Sequence, residues 1–352
     1  MNQLKARLVK FEDSYKSHHA VRLKVVLTNT SKKDLSILTW NTPLDGLVTD
    51  CLDIRIGGKN IEYDGPMVKR GAPTPKDYIV IKAGQSVEAE FPVSDAYDTS
   101  KPGNYQVKLK TDIPDVAPQE SRPMMAAALK LGRHTPVRQP IPANISFKVT
   151  KGEGSHMTMG AAARSEEQNR KILAKAVARV AAKKKATAQA ALTPLTVGGT
   201  AAQKSAAVQA HNDGYGLCVA ALAGMANDAK YKEWFGTYNL ARFNKVKNDY
   251  STVKRRIETI QFTYNLTGSG CSSGVYAYTY KDTSTIWFCD AFWDAPAKGT
   301  DSKAGTVVHE HTHSDASTDD IQYGQSGCRA LALSHPEQAI NNADSHEYYA
   351  GG

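Results

Sequence analysis

The chain has 352 residues, 41% of them hydrophobic and 22% charged, enough for one or two packed cores and too apolar for a wholly disordered protein. Its formal net charge of +9 is unevenly held: the first 190 residues carry 31 basic against 19 acidic side chains, residues 191–352 carry 13 against 16. Net basicity suggests nucleic acid or a membrane surface, but no nucleic-acid recognition motif is present and no run reaches the ~18–20 apolar residues of a membrane span. The sharper expectation is a basic front half resting on an acidic back half.

Residues 1–11 contain basic side chains but no apolar stretch of the kind a secretory signal needs. Residues 1–150 read as all-β. Val21, Leu23, Val25 and Leu27 alternate along one face of residues 20–29, and further short strands are expected at 78–81, 86–91, 105–109 and 145–149, between Gly, Pro, Asn and Asp punctuation. Strands at this spacing predict an immunoglobulin- or fibronectin-like sandwich, with residues 118–142, rich in Pro, Ala and Met, as a long excursion.

Residues 151–194 change character. After a glycine-containing stretch at 152–160, the alanine- and lysine-rich residues 161–192 are expected to be helical where ordered, and Lys183, Lys184 and Lys185 are accessible in almost any conformation. Such a segment is either a solvated linker helix or a processing region, and the domain that follows favours processing. Residues 195–352 then give helical patterns over 201–225 and 231–260, two tyrosine-rich alternating segments at 275–280 and 285–288 that read as a hairpin, and a helix around 327–333.

The chemistry concentrates at His309-Glu310-His311-Thr312-His313. Two imidazoles four residues apart share one helix face and can bind one zinc ion, with Glu310 beside them to take a proton from a metal-bound water. On its own the pattern also fits a surface helix with two solvated histidines. Val307 and Val308 argue instead for a helix buried along one side. A third ligand is needed, and Asp315, Asp319 and Asp320 are the nearby carboxylates.

The segment Ser317-Thr318-Asp319-Asp320-Ile321-Gln322-Tyr323-Gly324 resembles the G-T-x-D-x-x-Y-G motif of the aspzincins, the deuterolysin-like metalloendopeptidases. The stretches Tyr231 to Gly236, Phe288 to Trp293, Gly299 to Thr306 and Asn342 to Tyr348 are similar to the peptidyl-Lys branch of that family, so the resemblance covers about residues 195–350. It implies a mainly helical α+β zincin domain, with Asp320 as the third zinc ligand beside His309 and His313. Tyr323 would then hydrogen-bond the tetrahedral intermediate, and Asp344 and Glu347 would line the pocket for a lysine just after the scissile bond. Ser317 stands where the motif has glycine, so a different local turn is expected. The resemblance also implies a Cys271–Cys289 bridge across the open end of the hairpin. Cys218 and Cys328 form either a second pair or two buried thiols, and Cys51 is left as a buried free cysteine. His311 and His346 are expected to face away from the metal and the pocket.

The whole reads as two domains: a β-sandwich prodomain (1–150), a basic linker with a processing region (151–194) and an aspzincin protease domain (195–352). The expected protein is a secreted, latent endopeptidase with one catalytic Zn2+, its signal removed. Its partners are peptide substrates and its own propeptide, as inhibitor or folding chaperone. A lysine of the basic front half, within 171–185, is expected to fill the acidic pocket before activation. The rival reading is an adhesin carrying an inactive protease-like domain, against which the intact Glu310, Tyr323 and ligand types argue.

Overall fold

The structure is a computed structural model describing residues 3–130, 133–154, 156–178, 191–268, 270–271 and 274–351. It divides into two compact units, residues 1–66 with 72–161, and residues 67–71 with 162–352.

In the first unit, apolar and charged side chains alternate along Leu4–Lys10, so Leu4, Ala6 and Leu8 are buried while Lys5 and Arg7 are exposed. This strand pairs antiparallel with Arg22–Asn29, which pairs in turn with Ser86–Pro92. A second three-stranded sheet joins Val116–Pro118, Leu35–Leu38 and Tyr78–Ile81. Leu4, Ala6 and Leu27 from the first sheet meet Leu35, Ile37 and Ile81 from the second in one core, with Ile113 and Ile141 from the intervening chain. Burying a branched side chain of this size stabilises by roughly 1.5–3 kcal/mol. A five-stranded sheet completes the unit, in the order Ser14–Lys16, Asn144–Thr150, Gly103–Leu109, Leu52–Ile56, Lys59–Ile61.

The expected strands are present, together with Leu4–Lys10, Leu35–Leu38 and Leu52–Ile56, which sequence patterning did not mark. The excursion at 118–142 is not free of structure. Its Met-Met-Ala-Ala-Ala-Leu run forms a helix, Arg122–Lys130, because alanine, leucine and methionine lose little rotamer freedom there.

The second unit has a mixed five-stranded sheet, ordered Leu195–Val197, Thr263–Asn265, Thr285–Phe288, Val275–Thr279, Met67–Arg70. The helical stretch expected over 231–260 is two helices, Ala229–Phe235 and Leu240–Thr259. They are split at Gly236, whose φ of 78° ends the first as its C-cap. The helix of the histidine motif, Lys303–Ala316, is capped by Ser302 Oγ on the Gly305 N–H, and residues 304–314 are buried on every side. It is therefore a central helix, enclosed by Ala201–Gly224, Leu240–Thr259 and Ala343–Gly351. Close packing needs Gly305, because a Cβ there would lie 2.6 Å from Glu347 Oε1. Ser317 closes the helix with φ 57° and ψ 35°. Serine thus adopts the left-handed geometry glycine would have supplied, and the turn is kept at some steric cost.

Cys271 and Cys289 are disulfide-bonded, with Cα atoms 5.4 Å apart. Cys51, Cys218 and Cys328 are free and buried, so the second pair is not formed. Cys328 Sγ instead lies 3.5 Å from the Gln322 carbonyl and 3.4 Å from Asn342 Nδ2. Within the linker, Met159–Ala178 is helical, and Glu167 accepts from the N–H of Ser284 at 2.8 Å. Residues 179–190, including Lys183, Lys184 and Lys185, lie outside the described residues.

Candidate active site

The central helix carries His309 and His313 on one face, one turn apart, with both side chains fully buried. Their Nε2 atoms face each other at 2.9 Å, and Asp320 Oδ1 lies 3.1 Å from the first and 3.3 Å from the second. Two imidazole nitrogens and a carboxylate oxygen converging in a buried place are a donor set for a cation. The ligand atoms of a tetrahedral zinc at ~2.0–2.1 Å stand about 3.3 Å apart, so the spacing suits that ion. His313 Nδ1 donates to the Thr318 carbonyl at 2.9 Å, and His309 Nδ1 lies 2.9 Å from Asp344 Oδ1. Both contacts leave Nε2 for the metal. Burial works against the charge on Asp320, but His313 and His309 prevail and hold its carboxyl well below the usual range.

The neighbouring acids are elsewhere. Asp319 pairs with Lys281 at 2.7 Å, and Asp315 pairs with Arg256 and accepts from His311 Nδ1 at 2.9 Å. His311 faces away from the ligands, as expected, into a buried contact with the Tyr264 hydroxyl at 3.1 Å. His346 is not outward-facing. It is fully buried, with Nε2 3.2 Å from Asp249 Oδ2 and its ring against Phe235 and Tyr250, because its helix is covered on that side by Leu240–Thr259. Glu310 is buried beside the ligands, and burial pushes its carboxyl well above the usual range.

Asp344 and Glu347 come together as one end of a buried pocket, and the pocket is filled. The Nζ of Lys69 lies 2.9 Å from Asp344 Oδ1, 2.8 Å from Glu347 Oε2 and 3.0 Å from Asp301 Oδ1. The rings of Tyr348 and Tyr276 stand 5.4 Å and 5.9 Å from the same nitrogen. Burial opposes the lysine's charge, but the acids outweigh it and hold the ammonium well above its ordinary range. The lysine expected from 171–185 is therefore a different one, since the pocket takes Lys69.

Lys69 arrives on a strand, Met67–Arg70, that pairs antiparallel with Val275–Thr279, placing Val68 opposite Tyr278 and Lys69 opposite Ala277. The Val68 N–H donates to Asp320 Oδ2 at 2.7 Å, and the Tyr323 hydroxyl donates to the Val68 carbonyl at 2.6 Å. The peptide carbonyl immediately before a lysine thus sits on the tyrosine of the motif, next to the cation site. Sequence reading did not mark this strand and gave Asp301, within the family-like stretch 299–306, no role of its own. The strand's local signs are a four-residue run between Pro66 and Gly71 and a lysine that follows two apolar residues.

Residues 220–351 match the family model for lysine-specific metallo-endopeptidases, and residues 9–140 match an immunoglobulin-like domain. An extracellular protease of Aeromonas hydrophila is 33% identical over 356 residues, covering 99% of this chain and 91% of the relative. The chain belongs to the aspzincin family of zinc metalloendopeptidases. Among other aspzincins, a peptidyl-Lys metalloendopeptidase of Pleurotus ostreatus is 41% identical over 128 residues, 36% of this chain and 74% of its own. A zinc peptidase structure from Grifola frondosa covers 43% of this chain and 96% of its own at 32% identity, with a TM-score of 0.41. This aspzincin is an endopeptidase, its substrates are peptides, and among the described residues no helix is long and apolar enough to cross a membrane.

Proposed function

We propose that this aspzincin is a secreted zinc endopeptidase that cuts on the amino side of lysine, and that Met67–Arg70 keeps it latent by lying in the cleft as a substrate would. Residues 1–150 act as the propeptide and 151–194 as the linker where it is processed. One observation carries the reading: the carbonyl held by Tyr323 belongs to the residue before Lys69, whose ammonium is held by Asp301, Asp344 and Glu347. That offset of one residue is what a lysine just after the scissile bond requires. Export agrees with the extracellular relative.

His309, His313 and Asp320 hold the zinc in this reading. When bound, zinc supplies a Lewis acid and brings the pKa of a coordinated water toward 7. Glu310 accepts a proton from the attacking water and delivers it to the departing lysine nitrogen. Its raised affinity for protons, a result of burial, suits a group that must both take and give one. Water oxygen joins the carbonyl carbon, the carbon–nitrogen bond breaks, and the amine leaves protonated. The Tyr323 hydroxyl stabilises charge developing on the carbonyl oxygen, while Asp320 Oδ2 aligns the substrate through the preceding N–H. A neutral side chain in the pocket would leave buried carboxylates unpaired, which disfavours it strongly.

Two measurements test this. Peptides released from a denatured unrelated protein, sequenced by mass spectrometry, should begin overwhelmingly with lysine, and a chelator should abolish their release. Cleavage without lysine bias, or cleavage undiminished by the chelator, would sink the reading. Tyr323→Phe should lower kcat/KM by about 10²–10³-fold, equivalent to losing one oxyanion donor worth ~2.7–4 kcal/mol, with KM little changed. An unaltered kcat would remove Tyr323 from the chemistry.

A further inference from the structure

Asp344 touches more than the lysine. Its Oδ1 lies 2.9 Å from Lys69 Nζ and also 2.9 Å from Nδ1 of His309, and its Oδ2 accepts from the N–H of Gly324, next to Tyr323, at 2.9 Å. Glu347 differs: its Oε2 is 2.8 Å from the ammonium but 3.5 Å from His309 Nδ1. Both acids are almost completely buried. A metal-binding histidine needs an acceptor for its far nitrogen to fix the tautomer and ring orientation. For His313 that acceptor is the Thr318 carbonyl, and for His309 the nearest is Asp344.

We infer that Asp344 is a positioning residue for the metal ligand His309 as well as a wall of the lysine pocket, whereas Glu347 serves the pocket alone. The inference rests on the zinc-endopeptidase reading above. One oxygen then serves substrate recognition and the metal centre together. Loss of Asp344 strikes both, and loss of Glu347 strikes only recognition. The Gly324 contact clamps the carboxylate in place, so it cannot swing away from His309 without leaving a backbone N–H unpaired.

The test uses the full-length chain carrying Glu310→Gln, so that it stays intact, and measures zinc affinity by chelator competition at neutral pH. Adding Asp344→Asn should weaken zinc binding by about 10–100-fold, the usual effect of losing such a partner. Adding Glu347→Gln should change it by less than about 3-fold. In activated enzyme without Glu310→Gln, Asp344→Asn should lower kcat even on a poor substrate lacking lysine. Equal zinc affinity in the two variants overturns the inference and leaves the proposed function standing. A Glu310→Gln parent that binds no zinc overturns both. Should Asp344→Asn fail to fold, ¹⁵N-histidine NMR of the Glu310→Gln parent decides instead. The proton of His309 is expected on Nδ1, and its appearance on Nε2 in the metal-free protein would overturn the inference.

Discussion

Full-length protein carrying Lys69→Met is expected to hydrolyse a lysine peptide at least about 100-fold faster than intact wild-type chain. The magnitude follows from burial. The Lys69 ammonium is fully enclosed and meets three carboxylates within 3.0 Å. Removing one partner from a buried ionic cluster costs roughly 3–5 kcal/mol, because the remaining charges stay desolvated and unpaired. That penalty falls on the state with the strand in the cleft, and at 1.4 kcal/mol per tenfold it shifts occupancy by two orders of magnitude or more. Methionine keeps the length and flexibility of the stem, so backbone pairing with Val275–Thr279 is disturbed least. The check is an initial rate on freshly purified chain, shown by gel to be uncut. A Lys69→Met chain as silent as wild type would mean that latency resides elsewhere.

Glu310→Gln should reduce turnover of the activated enzyme by about 10²–10⁴-fold, the range for removing a positioned proton carrier. It should still bind one zinc per chain, because Glu310 is not among the atoms that converge on the cation site. Glutamine matches the side chain in shape and fills the same buried place, so packing around the central helix is preserved. Metal content by elemental analysis, measured beside the rate, separates lost chemistry from a lost metal. The variant should also remain full length during purification if processing is carried out by the protein itself. Wild-type turnover in Glu310→Gln would place the proton transfer on another group.

Much of the grouping of His309, His313 and Asp320 was legible because its geometry is local. Two histidines four residues apart share a helix face whatever surrounds them, and Asp320 lies within the same short motif. Ser317 was legible only as a departure from glycine, yet it takes the left-handed conformation glycine would have supplied. Long-range features were not legible. Met67–Arg70 pairs with Val275–Thr279 about two hundred residues away, and four residues carry too little pattern to announce a partner at that distance. The same limit hid Asp301, whose role exists only once Lys69 is beside it. His346 was misjudged because neighbours in sequence reveal its own helix but not the helix that covers it. The break at Gly236 was readable in principle, since glycine within a helical pattern often marks an end.

The antiparallel pairing of Met67–Arg70 has a consequence for what the enzyme can see. All four residues of that strand are buried, and the chain runs extended beside Val275–Thr279. Any polypeptide taking its place must offer at least four residues in extended form, free of hydrogen bonds to its own fold. Lysines in intact helices fail that condition, and so do lysines inside paired sheets, however exposed their ammonium groups. Cleavage of a globular target should therefore track its local unfolding and not its lysine content.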